Sequence, residues 1–137
     1  MNVIGLGNEW RTDDGAGSEV ARRLGGRVLG GEPIGLVEAI TGAHEVVLVD
    51  AVSSGAPAGT VHRFDASTEE LPAQLFGASS THALGVAEAV ELARTLGRLP
   101  ERVLVYGIEG ESFRFGKGLT PKIEAAVAGL VKELGRA

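Results

Sequence analysis

Apolar residues fall along this chain in short runs divided by glycine-rich breaks, and the spacing inside each run predicts alternating strands and helices. Met1 to Leu6 reads as a short buried strand. Asp14 to Leu24 reads as a helix with Val20, Ala21 and Leu24 on its apolar side, stopped by Gly25 and Gly26. From Arg27 to Leu36 the pattern is broken: Val28-Leu29 suits a short strand, and Gly30, Gly31 and Pro33 interrupt the residues after it. Leu36 to Gly42 has room for one or two helical turns. Val46 to Ala51 is a continuous, mostly β-branched run of the kind buried on both faces of a sheet. After a Ser-, Gly- and Pro-rich turn, Thr60 to Asp65 reads as a further strand, open to an antiparallel placement.

The second half repeats the alternation. Thr81 to Leu96 predicts a helix with Leu84, Ala87, Val90 and Leu96 inward and Glu88, Glu91, Arg94 and Arg98 outward. Arg102 to Ile108 predicts a strand. Thr120 is placed as an N-cap with Pro121 at the first helical position, opening a helix to Leu134 that buries Ile123, Ala126, Val127, Leu130 and Val131. Alternating β and α elements predict an α/β protein: a three-layer α/β/α sandwich around a twisted, mostly parallel sheet. No repeat or linker divides it, so residues 1–137 are expected to form a single domain.

Composition narrows the chemistry. Hydrophobic residues make up 44%, enough for a packed interior, while aromatics at 4% leave the core to Val, Leu, Ile and Ala. The net charge of −5 and the lack of a Lys/Arg run argue against nucleic acid or a membrane surface as partner. With no cysteine there is no thiol nucleophile, disulfide or cysteine metal site. Neither a basic leader nor a bilayer-length apolar stretch is present, so the expectation is a soluble cytoplasmic protein and a monomer.

Three dispersed residues stand out because an α/β sheet gathers functional groups at the carboxyl ends of its strands. Asp14 closes the loop after the first strand, Asp50 ends the run Val46-Val47-Leu48-Val49, and His82 opens the predicted long helix. Each has an ordinary explanation. Carboxylates at Asp13 and Asp14 suit a helix N-terminus, and the capping or positioning role falls to Asp13, the inward-facing functional one to Asp14. Asp50 could cap the turn into Ala51-Val52-Ser53, but a carboxylate abutting four apolar strand residues is costly to bury unpaired. At a helix start the dipole keeps His82 neutral, the form that binds metals, although Ser79, Ser80 and Thr81 compete as caps. Together the trio forms an N/O ligand set suited to nickel, zinc, manganese or iron with open positions. Gly5-Leu6-Gly7 lacks the third glycine of a dinucleotide loop, where Trp10 stands, and the acidic loop would repel phosphate. There is no Gly-x-Ser-x-Gly elbow and no His-Glu-x-x-His helix.

These residues resemble a known family. Val3-Ile4-Gly5-Leu6-Gly7-Asn8, Thr12-Asp13-Asp14-Gly15-x-Gly17, Val49-Asp50-Ala51, Ser80-x-His82-x-Leu84-Gly85, Gly107-Ile108-Glu109 and Gly116-x-Gly118-Leu119-Thr120-Pro121 are similar, in order, to motifs of the hydrogenase maturation proteases. The resemblance implies a cytoplasmic endopeptidase that removes a C-terminal extension from the large-subunit precursor of nickel–iron hydrogenase after nickel insertion. It implies an α/β/α sandwich, and places metal-contacting and catalytic roles on Asp14, Asp50 and His82, with the nickel carried by the substrate. The family often has glutamate where Asp14 stands, and commonly proline where Gly110 stands. Its Asp-Gly-Gly-Thr-like stretch has no counterpart in Gly30-Gly31-Glu32-Pro33-Ile34-Gly35.

Two other readings compete. Peptidyl-tRNA hydrolases also follow their first strand with Gly-Leu-Gly-Asn, but continue with a Pro-Gly and need a positive face for RNA, against Glu9-Trp10-Arg11-Thr12-Asp13-Asp14 and a net charge of −5 here. A non-catalytic metal- or protein-binding module on the same fold is the other.

Overall fold

The computed structural model describes residues 2–29, 33–76 and 85–136. Strand β1 (Val3–Leu6) leads through a 3-10 turn (Thr12–Gly15) into helix α1 (Ala16–Arg23). Then come β2 (Arg27–Leu29), α2 (Pro33–Ile40), β3 (Glu45–Val52), β4 (Val61–Asp65), the single turn α3 (Ala73–Phe76), α4 (Val86–Thr95), β5 (Arg102–Glu109) and α5 (Pro121–Leu134). The strands form one five-stranded sheet in the order β2-β1-β3-β5-β4. All pairs are parallel except β4 on β5, which is antiparallel.

Period-two alternation sorts the sheet residues into two cores. Ile4, Leu6, Val46, Leu48, Val52, Val103 and Val105 pack against α2 and α4. Val3, Val47, Val49, Leu104, Tyr106 and Ile108 pack against α1 and α5. Strands β3 and β5 are covered on both faces, which is why they read as unbroken apolar runs. The expected layering of helices on both sides of a mostly parallel sheet is therefore present.

Element boundaries differ from the sequence reading where the chain turns. The segment expected to be helical from Asp14 starts as a 3-10 turn and becomes α-helical at Ala16. Helix α2 begins at Pro33, before the predicted Leu36. Helix α4 is shorter than predicted: Gly85 is extended (φ −82°, ψ 175°) and caps a helix that begins at Val86. It ends at Thr95, so Leu96 is exposed rather than core, and Ala89 and Ala93 complete the buried stripe. Of the residues placed inside α5, Ile123, Val127 and Leu130 are buried, while Ala126 and Val131 sit at its margin.

Glycines let α1 settle onto the ends of the strands. A Cβ on Gly17 would run into the carbonyl oxygens of Val49 and Leu6, so only hydrogen allows this approach. Gly7 adopts φ +117°, and a side chain there would strike the Asp14 carbonyl. Gly7 thus serves a tight turn and Gly17 a close helix.

Candidate functional site

Asp14 and Asp50 come together at the carboxyl ends of the central strands. The 3-10 turn after β1 packs on β3, and Asp50 is the sixth residue of that strand, on the face shared with Val46, Leu48 and Val52. Both carboxylates are 7% exposed. Each accepts one backbone hydrogen bond among the described residues: Asn8 N–H donates to Asp14 Oδ2 and Ala51 N–H to Asp50 Oδ1, both at 2.9 Å. Among the described residues no donor reaches the second oxygen of either.

Electrostatics mark the pair. The Asp50 pKa is pushed from 3.8 up to about 7, first by burial and second by the negative charge of Asp14, against a smaller opposing contribution from the Ala51 hydrogen bond. Two carboxylates held close with little to neutralise them form a site that either keeps a proton or takes a cation.

Asp13 has a different task. Fully buried, its carboxylate accepts Glu111 N–H and Ser112 N–H on Oδ2 (both 2.9 Å) and Thr120 N–H on Oδ1 (2.8 Å), with the Thr120 hydroxyl donating to Oδ2 at 2.8 Å. It ties the loop after β5 to the loop after β1. The positioning role expected of Asp13 is visible in these bonds, though the backbone it caps is distant in sequence and not that of its own turn. Thr120 does stand at the N-cap of α5 with Pro121 behind it, but its side chain makes no capping bond and serves Asp13 instead.

The third expected member, His82, lies outside the described residues, as do Ser79, Ser80 and Thr81. Among the described residues, no group of three His, Asp or Glu side chains is arranged to hold a metal ion. What is visible is that α4, the next helix after this stretch, packs on the face of the sheet to which Asp50 belongs.

A fourth buried carboxylate, Glu109, enters the sequence analysis only as part of a motif and not as a candidate site residue. Glu109 ends β5 as Asp50 nears the end of β3, and is 1% exposed. It accepts bonds from the Ser54 backbone and hydroxyl, and its Oε1 lies 3.1 Å from His62 Nε2 on β4. The signal was available: a charge terminating an apolar strand, the same pattern that drew attention to Asp50. Ser54 and His62 carry no such signal, because only the antiparallel β4 brings His62 beside β5.

Comparison with known proteins agrees with this architecture. Residues 29–137 match the model of the family described as hydrogenase maturation protease, a span that includes Asp50, His82 and Glu109. The chain is 31% identical to the hydrogenase expression/formation protein HupD of Thiocapsa roseopersicina, the match covering 91% of this chain and 61% of that one. It is 28% identical to the hydrogenase 2 maturation protease of Escherichia coli K12, over 91% of this chain and 82% of the relative. The match to HupD thus spans under two thirds of that relative's length. In three dimensions it is similar to the hydrogenase-maturating endopeptidase HybD of E. coli, with a TM-score of 0.80, 26% identity, and coverage of 98% of this chain and 90% of that one. The family match and the whole-chain likeness to HybD decide between the enzyme readings: this chain belongs to the hydrogenase maturation protease family.

Proposed function

We propose that this chain is an endopeptidase that cuts the C-terminal extension from a nickel–iron hydrogenase large-subunit precursor once nickel is in place. Asp14, Asp50 and His82 are its metal-reading residues. The observation that carries the reading is the buried pair Asp14 and Asp50 at the strand ends, with Asp50 pushed up to about 7 by burial and by its neighbour. A divalent ion arriving with the substrate would relieve that repulsion, so the pair favours precursor that carries metal over precursor that does not. The oxygen of each carboxylate that no described residue bonds, together with an imidazole, makes a hard-to-borderline set suited to nickel. The ion belongs to the substrate and the free protein has no need of a tightly held one.

Hydrolysis adds water across the scissile amide, giving a new carboxylate on the mature subunit and a free amine on the released peptide. No serine or cysteine nucleophile is needed, and the chain has no cysteine. A carboxyl group titrating near neutrality fits a site where a proton must be held or released during that step. The partner is the precursor, met by a monomeric protein in the cytoplasm. Among the described residues no helix is long and apolar enough to cross a membrane.

The test is incubation with a nickel-loaded large-subunit precursor, then intact mass of the precursor. Loss of the C-terminal extension is expected with the parent and not with Asp14→Asn, Asp50→Asn or His82→Ala. Equal cleavage of nickel-free and nickel-loaded precursor would remove the metal-reading role. Absence of cleavage with any loaded precursor would favour a non-catalytic binding module.

A further inference from the structure

Beside the acidic pair the protein carries a surface of opposite character. Trp10 is 55% exposed and Phe115 is 92% exposed. Arg11, Arg114 and Lys117 stand among them in the same two loops, with the Lys117 ammonium 5.2 Å from the Trp10 ring centre. The acids and cations on the adjoining slope pair with one another: Arg22 with Glu9 and Glu19, Arg23 with Glu19 and Glu124, and Lys122 with Glu111. Among the described residues none of Arg11, Arg114 and Lys117 has a carboxylate within ion-pair distance. Three uncompensated cations around two exposed aromatic rings are unexpected on a chain of net charge −5.

This surface is built rigidly. Thr12 N–H donates to the Gly116 carbonyl at 2.8 Å, Gly116 N–H to the Trp10 carbonyl at 2.9 Å, and the Thr12 hydroxyl to the Arg114 carbonyl at 2.6 Å. Arg11 Nε–H reaches the Phe113 carbonyl at 3.4 Å. Thr12 itself holds a left-handed backbone, φ +52°, which a threonine adopts only when its surroundings require it. The Asp13 carboxylate pins both loops from beneath. The loops leave β1 and β5, the two neighbours of β3, so the surface flanks the strand end that carries Asp50.

We infer that Trp10, Arg11, Arg114, Phe115 and Lys117 form a docking lip for an extended, carboxylate-bearing peptide segment of the protein substrate, leading it to the Asp14–Asp50 pair. The inference rests on the endopeptidase reading for the identity of that substrate. The aromatic rings take apolar side chains, and the cations take acidic ones. Nucleic acid shares the taste for aromatic rings and cations, but a phosphate chain would also face the Asp14 and Asp50 carboxylates and the overall negative charge. A peptide can turn its acidic residues to the lip and bring neutral backbone to the pair.

Trp10 is the chain's only tryptophan, so its fluorescence reports on the lip alone. The probe is a short capped peptide of alternating glutamate and leucine, with a lysine–leucine peptide and a single-stranded oligonucleotide as controls. A saturable shift of Trp10 emission is expected with the glutamate peptide only, weakening as salt rises. The triple variant R11Q/R114Q/K117Q, checked for a parental melting curve, should bind about tenfold more weakly, as three rim charges predict. With nickel-loaded precursor the same variant should raise KM about tenfold, with kcat held, because docking contacts act before the chemical step. No emission change with the glutamate peptide together with a parental KM in the variant would overturn the lip. A larger response to the oligonucleotide would overturn it too. A parent that binds the glutamate peptide but cuts no precursor would remove the endopeptidase reading and leave the lip standing.

Discussion

Asp50→Asn should stabilise the metal-free fold above neutral pH while abolishing processing. In the folded protein Asp50 keeps its proton up to about pH 7, whereas in the unfolded chain it ionises near 3.8. Between those values the native state binds the extra proton, so stability falls as pH rises, the reverse of the usual behaviour of a salt-bridged aspartate. The interval, at about 1.4 kcal/mol per pH unit, bounds the loss at about 4 kcal/mol by pH 8. Water reaching the pair and relaxation around it reduce this, and about 1–3 kcal/mol is the working expectation. Asparagine keeps the shape and the acceptor that Ala51 N–H uses, and carries no charge. The variant should therefore melt about 3–9 °C above the parent at pH 8 and close to it at pH 4.5, a domain of this size gaining about 3 °C per kcal/mol. Thermal denaturation across pH 4.5–8.5 after chelator treatment measures the difference, and the precursor assay run in parallel measures processing. A variant that melts below the parent at pH 8 would refute the buried, repelled carboxylate. Near-normal cleavage by the folded variant would return Asp50 to a structural role.

Asp14→Asn should draw the Asp50 pKa down from about 7 without restoring 3.8, because it removes the second cause and leaves burial; carboxyl carbon NMR shifts tracked through a pH titration read this directly. Asp13→Ala should cost roughly 2–4 kcal/mol in denaturant unfolding, since three backbone N–H groups and a hydroxyl lose one buried acceptor; a loss below 1 kcal/mol would mean that water replaces it easily. Gly17→Ala should cost more than about 3 kcal/mol or prevent folding, its methyl meeting two backbone carbonyls that cannot retreat. Purified protein dialysed against a chelator should hold far less than stoichiometric nickel and still process loaded precursor; nickel retained one-to-one would make the ion the enzyme's own.

The parts of this fold that were legible in sequence are those whose burial is continuous. Strands β3 and β5 lie between two helical layers, so nearly every position must be apolar and the runs announce themselves. Strand β2 is three residues at the sheet edge with a mostly exposed pattern, and little in Arg27-Val28-Leu29 distinguishes it from a loop. The helix ends failed for a local reason. Leu96 keeps the apolar spacing of α4, but Gly97 turns with φ +69° immediately after it and leaves that side chain beyond the core. At the candidate site the structure brings Asp14 and Asp50 together as a buried pair, His82 lying outside the described residues, and Asp50 stood out in sequence as a charge near the end of an apolar strand. Glu109 met the same criterion, and its reason, Ser54 and His62, is a set of contacts that no local pattern carries.

The division between Asp13 and Asp14 shows how one short turn serves both the acidic pair and its surroundings. The two are consecutive in a 3-10 turn, so their side chains leave the backbone in different directions. Asp13 spends all of its acceptor capacity on Glu111, Ser112 and Thr120, holding the loop that bears Arg114, Phe115 and Lys117. Asp14 accepts only Asn8 N–H among the described residues and adds its charge to Asp50. The loop after β5 is therefore tied to the turn that carries Asp14 beside Asp50. On the reading proposed here, a peptide seated on that loop and a cation seated between Asp14 and Asp50 would act on the same short turn of backbone, and recognition of the chain would be coupled to recognition of the metal through that turn alone.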